Sequence, residues 1–200
     1  MILTDGSGGG YQAKIDLNKR LHVDSVARDI VSQAAIVGNA YNFNTGAITL
    51  TSANESAVGY FEYLGDDPFV ISEILFIVGG TTGGSGDGTA RIYRNPTGGT
   101  IVSGAVDIEI AANRDFSSSK TVSANSYKGA EGNTITGGTL FADSSRSSFG
   151  TVISFDAAPI VLKKGNTLCC SWQPPAGNTS QVVKIAATGF VEASDVTDFE

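Results

Sequence analysis

Apolar residues fill both alternating positions of the stretch from Phe69 to Val78, and this pattern predicts a β-strand with two apolar faces. One face carries Val70, Ser72, Ile74, Phe76 and Val78, and the other carries Ile71, Glu73, Leu75 and Ile77. Because both faces are mostly apolar, both should be covered in the folded protein. A return strand is predicted at residues 89–94. Residues 79–88 between the two strands include six glycines and are expected to form a flexible hairpin loop.

The same kind of pattern predicts a series of short strands through the rest of residues 45–191. These strands are expected at 47–51, 58–64, 100–110, 151–155, 160–162, 167–172 and 181–191. Eight or nine short antiparallel strands with turn-rich links predict an all-β protein built as an antiparallel β-sandwich. A jelly roll is the commonest sandwich with eight strands and is the version expected here. An immunoglobulin-like sandwich is the alternative, disfavoured because no spaced core cysteines surround a Trp.

Residues 111–148 interrupt this series with a weak pattern and many Ser, Gly and Asn residues. They are expected to form a long loop excursion of the sandwich domain. The side chains expected to anchor it are Phe116, Val122, Tyr127 and Phe141. Such a long loop is unusual in a compact domain and often carries contacts with partners.

The chain before the sandwich differs from it in composition. Residues 1–13 are rich in Gly and Ser, and residues 14–24 alternate weakly and are expected to be extended. From Ser25 the apolar residues recur at helical spacing, and Gly38 can end the predicted short helix. The sequence therefore predicts an N-terminal arm with a short helix at 1–38 and a sandwich domain at 39–200.

The charge balance narrows the classes of partner. The 200-residue chain has 13 basic and 20 acidic residues, and its formal net charge is −7. That excess of negative charge argues against nucleic-acid binding through phosphates and against binding to anionic membranes. No apolar run has the length of a membrane span or the layout of a signal peptide, so synthesis in a cytoplasm is expected.

Few residues offer reactive chemistry, and neither a catalytic site, a cofactor nor a bound metal is expected. His22 is the single histidine, whereas a zinc site or a catalytic triad needs several converging groups. Cys169 and Cys170 are adjacent and should point to opposite faces of a strand, so they are expected to be buried thiols. The loop acids Asp66, Asp67 and Asp87 are the first candidates if calcium binds after all.

Several segments of the chain resemble virion structural proteins of tailed bacteriophages, especially marine ones. The segments are KIDLNKRLHVDSVARD at 14–29, YNFNTGAITLTSANESAV at 41–58, IYRNPTGGTIVSGA at 92–105, NRDFSSSKTVSANSYKGAEGNTITGGT at 113–139 and VLKKGNTLCCSWQPPAGNTSQVVKIA at 161–186. The run RNPTGGT at 94–100, with YKGAEG at 127–132, is distinctive. The resemblance implies a non-enzymatic particle component, and it carries no catalytic residues to transfer.

Within that class, a capsid decoration or cement protein is expected, because the chain is short, has one domain and lacks a repetitive shaft. It would bind the major capsid protein on the outer surface of the phage head, after synthesis in the host cytoplasm. A head-fibre, neck or tail component is an alternative that the resemblance leaves open. A glycan-binding adhesion module and a small hydrolase are alternatives of other classes.

The arm is the segment expected to hold the particle, with the sandwich as the exposed head. Its apolar residues can become buried on contact, and its cations can pair with an acidic capsid surface. The expected contact residues are Ile15, Leu17, Lys19, Arg20, Leu21, Val23 and Arg28. The competing interpretation is that the arm packs along its own sandwich. A homotrimer is also expected, because one opposing sheet cannot cover both faces of the 69–78 strand, and by analogy with jelly-roll particle proteins.

Overall fold

The computed structural model describes residues 30–83, 85–103, 106–108, 113–147, 151–155 and 159–192. Two antiparallel sheets pack together, which confirms the predicted all-β sandwich. The elements in chain order are α1 Ile30–Ile36, β1 Ala40–Asn44, β2 Ile48–Leu50, β3 Ser56–Tyr63, β4 Phe69–Gly83, β5 Asp87–Arg94, α2 Thr100–Ser103, β6 Val106–Asp107, β7 Ala124–Lys128, β8 Thr139–Ser147, β9 Thr151–Phe155, β10 Ile160–Leu162, β11 Thr167–Gln173 and β12 Asn178–Val191.

Several steps between consecutive strands pass from one sheet to the other. Sheet I has the order β1-β12-β4-β10, and β2 and β9 continue the two edges by pairing with β12 and β4. Sheet II has the order β6-β7-β3-β11-β5-β8. The steps β3 to β4, β4 to β5, β10 to β11 and β11 to β12 therefore all cross between the sheets. Every described strand pair is antiparallel, as expected of a sandwich.

The core lies between the two sheets and is built from the inward side chains of their central strands. Trp172 of β11 and Phe76 of β4 face each other there with ring centroids 6.5 Å apart. A second aromatic group stacks at one end, where Phe69 lies 5.3 Å from Phe61 and 5.5 Å from Tyr63. Burial of each such side chain contributes roughly 1.5–3 kcal/mol, so these contacts hold the sheets together.

Strand β4 is apolar on both sides, as predicted, but its alternation changes in the middle. Glu73 pairs with Thr188 and Ile71 pairs with Gly189, so Ser72 is an extra residue in β4 relative to β12. This bulge shifts the inward positions from Phe69 and Ile71 to Ile74, Phe76 and Val78. The two predicted faces are therefore wrong before Ser72. Val70 faces outward there and packs under α1.

The predicted hairpin loop at 79–88 is wrong. Strand β4 continues to Gly83 because its glycine-rich end pairs with residues 178–182 of β12. Strand β5 begins at Asp87, and it lies in sheet II, between β11 and β8. Gly79, Gly80 and Gly83 therefore belong to the end of β4, and β4 and β5 lie in different sheets and do not pair with each other.

The predicted long loop excursion at 111–148 is also wrong, because β7 and β8 lie within it and belong to sheet II. Tyr127 and Val122 do act as anchors. Tyr127 stacks on Tyr60 at 5.8 Å, and Val122 packs against the core. Phe116 and Phe141 do not, since their side chains are 97% and 56% exposed.

Three further predictions are corrected in detail. The strand predicted at 100–110 is replaced by the short helix α2 followed by β6. The side chain of Ile101 in α2 is fully buried on the outer face of sheet II, which explains why an apolar pattern is present without a strand. Strand β1 was not predicted. Of the helix predicted from Ser25 to Gly38, α1 accounts for Ile30–Ile36, and the residues before 30 lie outside the described part.

Candidate functional site

The predicted contact residues lie outside the described part of the chain, which begins at residue 30. These residues are Ile15, Leu17, Lys19, Arg20, Leu21, Val23 and Arg28. The structure does describe the place where the predicted arm joins the sandwich, which is helix α1 and its connection to β1. This junction is the candidate functional site.

Helix α1 is seated on the outer face of sheet I. Ala34 is buried against Val70, Ala40 and Phe190, and Val31 and Ala35 pack at the margin of the same cluster. These small and branched side chains let the helix lie close to the sheet. Helix α1 thus covers part of the outer face of β4, which the sequence predicted to need a neighbour.

A glycine turn ends the helix. The amide of Gly38 donates to the carbonyl of Ala35 at 3.1 Å, and the amide of Asn39 donates to Ala34 at 2.7 Å. These two bonds are those of a Schellman motif, and Gly38 has the left-handed φ of 71° that the motif requires. The predicted end of the helix at Gly38 is therefore confirmed, and the chain turns directly into β1.

The loop at residues 113–120 clamps this turn from the side. The side-chain amide of Asn113 donates one hydrogen bond to the backbone carbonyl of Gly38 and another, at 2.9 Å, to the hydroxyl of Ser118. The ammonium of Lys120 donates to the carbonyl of Val37 at 2.9 Å and to Asn39 Oδ1 at 3.2 Å. Asn113 is buried, so its hydrogen bonds are shielded from water and fix the junction firmly.

Three apolar side chains stand exposed around this clamp, and we call them the junction patch. Ile36 and Val37 are 58% and 37% exposed at the end of α1, and Phe116 is 97% exposed on the 113–120 loop. A phenylalanine that is almost completely exposed gains nothing from the fold of its own chain. Exposed apolar residues gathered at one place are typical of a contact surface.

A groove of about 600 Å³ opens beside the junction patch. Its lining combines exposed Phe116 with carboxylates, amides and hydroxyls, and includes Tyr41, Asp107, Asp115, Ser119, Thr121, Asn125 and Tyr127. Hydrogen bonds from the hydroxyl and amide of Ser117 lower the pKa of Asp115, so this carboxylate is ionised at neutral pH. The groove can therefore accept hydrogen bonds beside an aromatic ring.

The two cysteines lie on opposite faces of β11, as predicted, and both are free and buried. Cys170 faces the core between the sheets, and Cys169 lies under α2 with Ile101. Burial raises the pKa of Cys170 to about 12 and that of Cys169 well above its ordinary value. Neither thiol supplies a nucleophilic thiolate at neutral pH.

The outer face of sheet II carries a polar cluster that the sequence did not indicate. The carboxylate of Glu55 lies 2.9 Å from Arg91 Nη1, and it accepts hydrogen bonds from Tyr93 at 2.9 Å and Ser171 at 2.5 Å. Glu55 precedes β3, Tyr93 is in β5 and Ser171 is in β11. The cluster ties three adjacent strands together, and its acceptor oxygens are already occupied.

The acids proposed as calcium candidates do not converge. Asp66 forms an ion pair with Lys164 at 2.7 Å, and that hydrogen bond and charge lower the pKa of Asp66. A lysine ammonium at this position opposes binding of a second cation. Within the described ranges, no group of three or more His, Cys, Asp or Glu side chains could hold a metal ion. His22 lies outside those ranges.

Among the described residues, no helix is long and apolar enough to cross a membrane. Neither a protein-family model nor a curated protein sequence matches this chain.

Proposed function

We propose that this chain is a non-enzymatic virion structural protein of a tailed bacteriophage, and specifically a capsid decoration or cement protein. It would bind the major capsid protein on the outer surface of the head and stabilise the capsid after synthesis in the host cytoplasm. The single observation that carries the proposal is the clamped junction beside an exposed apolar patch. The part of the arm that precedes α1 is joined to the sandwich through this helix, which packs on sheet I. The helix lies next to exposed apolar side chains suited to a protein contact.

The contact would combine two kinds of chemistry. The cations Lys19, Arg20 and Arg28 precede α1 in a chain with a net charge of −7, so they can pair with an acidic capsid surface while the sandwich stays soluble. The junction patch would add apolar contact next to those pairs. Charged pairs at a rim around an apolar centre are the usual arrangement of protein interfaces.

The strand order supports the finer assignment of the sandwich to the jelly-roll class. Sheet I has four strand positions, with β2 continuing β1 and β9 continuing β10, and it faces β3, β11, β5 and β8 of sheet II. Among these eight positions, neighbours in sequence lie in opposite sheets at every step except the one from β5 to β8. Eight strand positions connected in this way are those expected of two nested Greek keys, an architecture found in viral capsid and lectin domains.

Self-association as a homotrimer is part of the proposal, although less of the outer face of β4 is left for a neighbouring copy than the sequence suggested. Helix α1 covers Val70, so part of the outer face of β4 is buried by the chain itself. Ile77 on the same face stays partly exposed and is the position where a neighbouring copy would add contact. Light scattering would give a trimer mass in solution, and a monomer at micromolar concentration would count against it.

Removal of residues 1–24 tests the attachment. We expect a folded, soluble chain that no longer binds particles, because the cations and apolar residues of the arm are gone. A second variant, Ile36→Ser with Phe116→Ser, leaves the arm intact and should weaken particle binding through the junction patch alone. Truncated protein that still decorates particles at normal occupancy would refute the arm as the attachment segment.

Cryo-electron microscopy of purified particles tests the location. Density for the sandwich on the outer face of the head lattice is the expected result. Density at the head fibre, neck or tail would show that the chain is a component of that structure and not a capsid decoration protein. Absence of the chain from the particle would overturn the virion assignment itself.

A glycan-binding module is the second candidate, and the groove beside Phe116 is the observation that favours it. An exposed aromatic ring near Asp107, Asp115 and Asn125 offers a stacking surface and hydrogen-bond acceptors to a sugar. A glycan array would detect such binding. Phe116→Ala should abolish it, whereas Phe141→Ala, which removes an exposed ring at another place, should leave it unchanged.

A further inference from the structure

Phe116 stands on a braced turn at residues 115–118, which we call the Phe116 turn. The amide of Ser118 donates to the carbonyl of Asp115 at 3.0 Å, which closes a β-turn with Phe116 at its second position. The carboxylate of Asp115 also accepts hydrogen bonds from the amide of Ser117 at 2.9 Å and from its hydroxyl at 2.6 Å. A side chain that is 97% exposed on such a turn is already ordered for a partner.

The base of the Phe116 turn is fixed to the outer strand β1 of sheet I. The amide of Arg114 donates to the carbonyl of Ala40 at 2.8 Å, and Tyr41 and Asn113 form a β-bridge. These contacts add to the hydrogen bonds by which Asn113 holds the end of α1. The fold therefore holds the phenyl ring at one side of the sandwich.

A recess suited to such a ring lies on the opposite side of the sandwich, between β5 and β8 of sheet II and β10 of sheet I. We call it the side recess, and its volume is about 250 Å³. An apolar cavity of about 150 Å³ can bind benzene, so the side recess has room for a phenyl ring. Its apolar lining includes Ile92, Ile160, Leu162 and Leu168.

The register shows which side chains of β10 and β8 belong to the side recess. Ile160 and Leu162 pair with residues of β4 that face the core, so they face inward as well, whereas Val161 between them faces outward. Phe141 is the extra residue of a bulge in β8, and it lines the recess while remaining 56% exposed. The recess thus has apolar walls and an aromatic rim.

The charges beside the Phe116 turn and the side recess are opposite. Arg94 is exposed and lines the recess, and no acid is among the described residues of that lining. Arg94 forms no ion pair with another residue of the described ranges. Asp115 is next to Phe116, and both hydrogen bonds from Ser117 go to its Oδ1, so Oδ2 can pair with a cation. A carboxylate and a guanidinium would therefore meet if the turn entered the recess.

The turn and the recess also lie at the same level along the strands. Ala40 of β1 pairs with Phe190 of β12, which pairs with Val70 of β4. Val70 pairs in turn with Val161 of β10. This row crosses sheet I from the base of the turn to the strand that borders the recess. Copies placed side by side can therefore bring the turn of one to the recess of the next without a shift along the strands.

A second copy is the occupant that this geometry favours. Three strand spacings, or about 14 Å, separate β1 from β10, and the turn is fixed on the β1 side, so Phe116 cannot enter the recess of its own chain. A contact between two different patches of identical chains is head-to-tail, and such contacts close into a ring when the rotation between copies allows it. A shared level along the strands favours a ring over a rising helix.

We propose that Phe116 of each copy inserts into the side recess of the next copy, and that three such contacts close the homotrimer. Asp115 pairs with Arg94 of that next copy. This inference rests on the self-association in the proposed function and specifies its contact. It assigns Phe116 to the neighbouring copy and leaves Ile36 and Val37 of the junction patch to the capsid. Ile77 lies one strand in from the edge formed by β9 and β10, so the same neighbour can reach it.

Sedimentation of the purified full chain without particles tests this contact separately from capsid binding. We expect a trimer for the natural sequence and roughly 10- to 100-fold weaker association for Phe116→Ala, because the buried ring is lost. Val102→Ser removes an exposed apolar side chain from α2 and should leave association unchanged. A monomer, a dimer, or a Phe116→Ala trimer of natural affinity would overturn the proposal. Particles decorated by a monomeric chain would overturn this contact alone and leave the capsid assignment standing.

Cross-linking identifies which patches meet. The variant Phe116→Cys with Phe141→Cys, treated with a short bismaleimide, should give covalent dimers and trimers and no longer products. Each single variant should stay uncross-linked, since Cys169 and Cys170 are buried. Products from Phe116→Cys alone would show that two turns meet across a two-fold axis, and absence of products from the double variant would show that the turn does not reach the recess. Either result overturns the proposal.

The charge pair has its own variant. Arg94→Glu places a carboxylate opposite Asp115, so it should weaken association in sedimentation, and the loss should shrink at high salt because the repulsion is screened. Unchanged association at low salt would overturn the pairing of Asp115 with Arg94.

Discussion

The indole nitrogen of Trp172 donates a hydrogen bond of 2.6 Å to the side-chain carbonyl of Gln181, and both residues are buried. Trp172 belongs to β11 of sheet II and Gln181 belongs to β12 of sheet I. The bond is therefore a polar link between the two sheets inside an otherwise apolar core. Because a buried donor must find an acceptor, the pair fixes which residue of β12 faces the indole.

Gln181→Leu should destabilise the protein by about 1–3 kcal/mol, because the indole nitrogen loses a buried acceptor without gaining access to water. Urea unfolding measures the change. The double variant Gln181→Leu with Trp172→Phe removes both polar groups and should cost less than the sum of the two single changes. Additive losses would show that the two side chains are not coupled.

Stability should fall at alkaline pH because of the buried thiols. Burial raises the pKa of Cys170 from its ordinary 9.0 to about 12, and the pKa of Cys169 is also well above 9.0. Between pH 9 and pH 12 the unfolded chain loses the Cys170 proton while the folded chain keeps it, and the raised pKa of Cys169 acts in the same direction. The stability that the buried thiols contribute is thus fully present below pH 9 and is lost as the pH rises above 9.

Urea unfolding at a series of pH values measures that slope. The variant Cys169→Ala with Cys170→Ala should be less stable at neutral pH, because two packed side chains are shortened, but its stability should depend less on pH above 9. Equal slopes in the two proteins would contradict the assignment to the thiols. Burial also raises the pKa values of four tyrosines, Tyr41, Tyr60, Tyr63 and Tyr93. These tyrosines should lower the stability of both proteins above pH 10, so they do not account for a difference between the two slopes.

Gly38→Ala should destabilise the junction of α1 and β1. The left-handed backbone at Gly38 costs a side-chain residue about 1–2 kcal/mol, and an added Cβ would also collide with the side chain of Ser118. Gly165→Ala is the matched control, since Gly165 has a similar φ of 79° and open space around it. Thermal unfolding should show the larger loss for Gly38→Ala. Equal losses would mean that the 113–120 loop yields to the methyl group.

Glu55→Gln should lower the pKa of Tyr93. Burial is the main reason that this pKa is raised, and the hydrogen bond to Glu55 and its negative charge add to it. The amide removes the charge, so Tyr93 should ionise at lower pH, which ultraviolet titration detects. Glu62→Gln is the control, because Glu62 lies in β3 and accepts a hydrogen bond from Asn125, and it should leave the pKa of Tyr93 unchanged. The ion pair with Arg91 is partly exposed, so its loss should cost only about 1 kcal/mol.

The sandwich could be predicted from the sequence because its central strands alternate or are apolar throughout. The strands at 58–64, 167–172 and 181–191 were expected within a few residues of β3, β11 and the second part of β12. Gly38 also has a local signal, since few other residues end a helix with a left-handed turn. The alternation of a strand and the glycine at a helix end depend on residues that are close in sequence, so a local sequence pattern is enough to predict them.

The errors arise where a distant strand decides the structure. Residues 79–83 look like a loop until residues 178–182 supply hydrogen-bond partners, and residues 139–147 form β8 because β5 lies beside them. The bulge at Ser72 likewise depends on the register with β12. The candidate site shows the same limit. The clamp by Asn113 on Gly38 joins residues 75 positions apart, and nothing in either local pattern indicates it.

The positions of β11 and β12 in the two sheets affect how the chain folds during synthesis. Strand β11 lies between β3 and β5, and β12 lies between β1 and β4, yet both follow all of these strands in sequence. A nascent chain that ends before residue 167 therefore lacks the strand that joins β3 to β5 in sheet II and the strand that joins β1 to β4 in sheet I. Most of its contacts await residues that the ribosome has not yet released, and such distant pairings form slowly, in milliseconds to seconds. The unpaired strands are meanwhile prone to aggregate, so access to chaperones should decide the yield of this protein more than its final stability does.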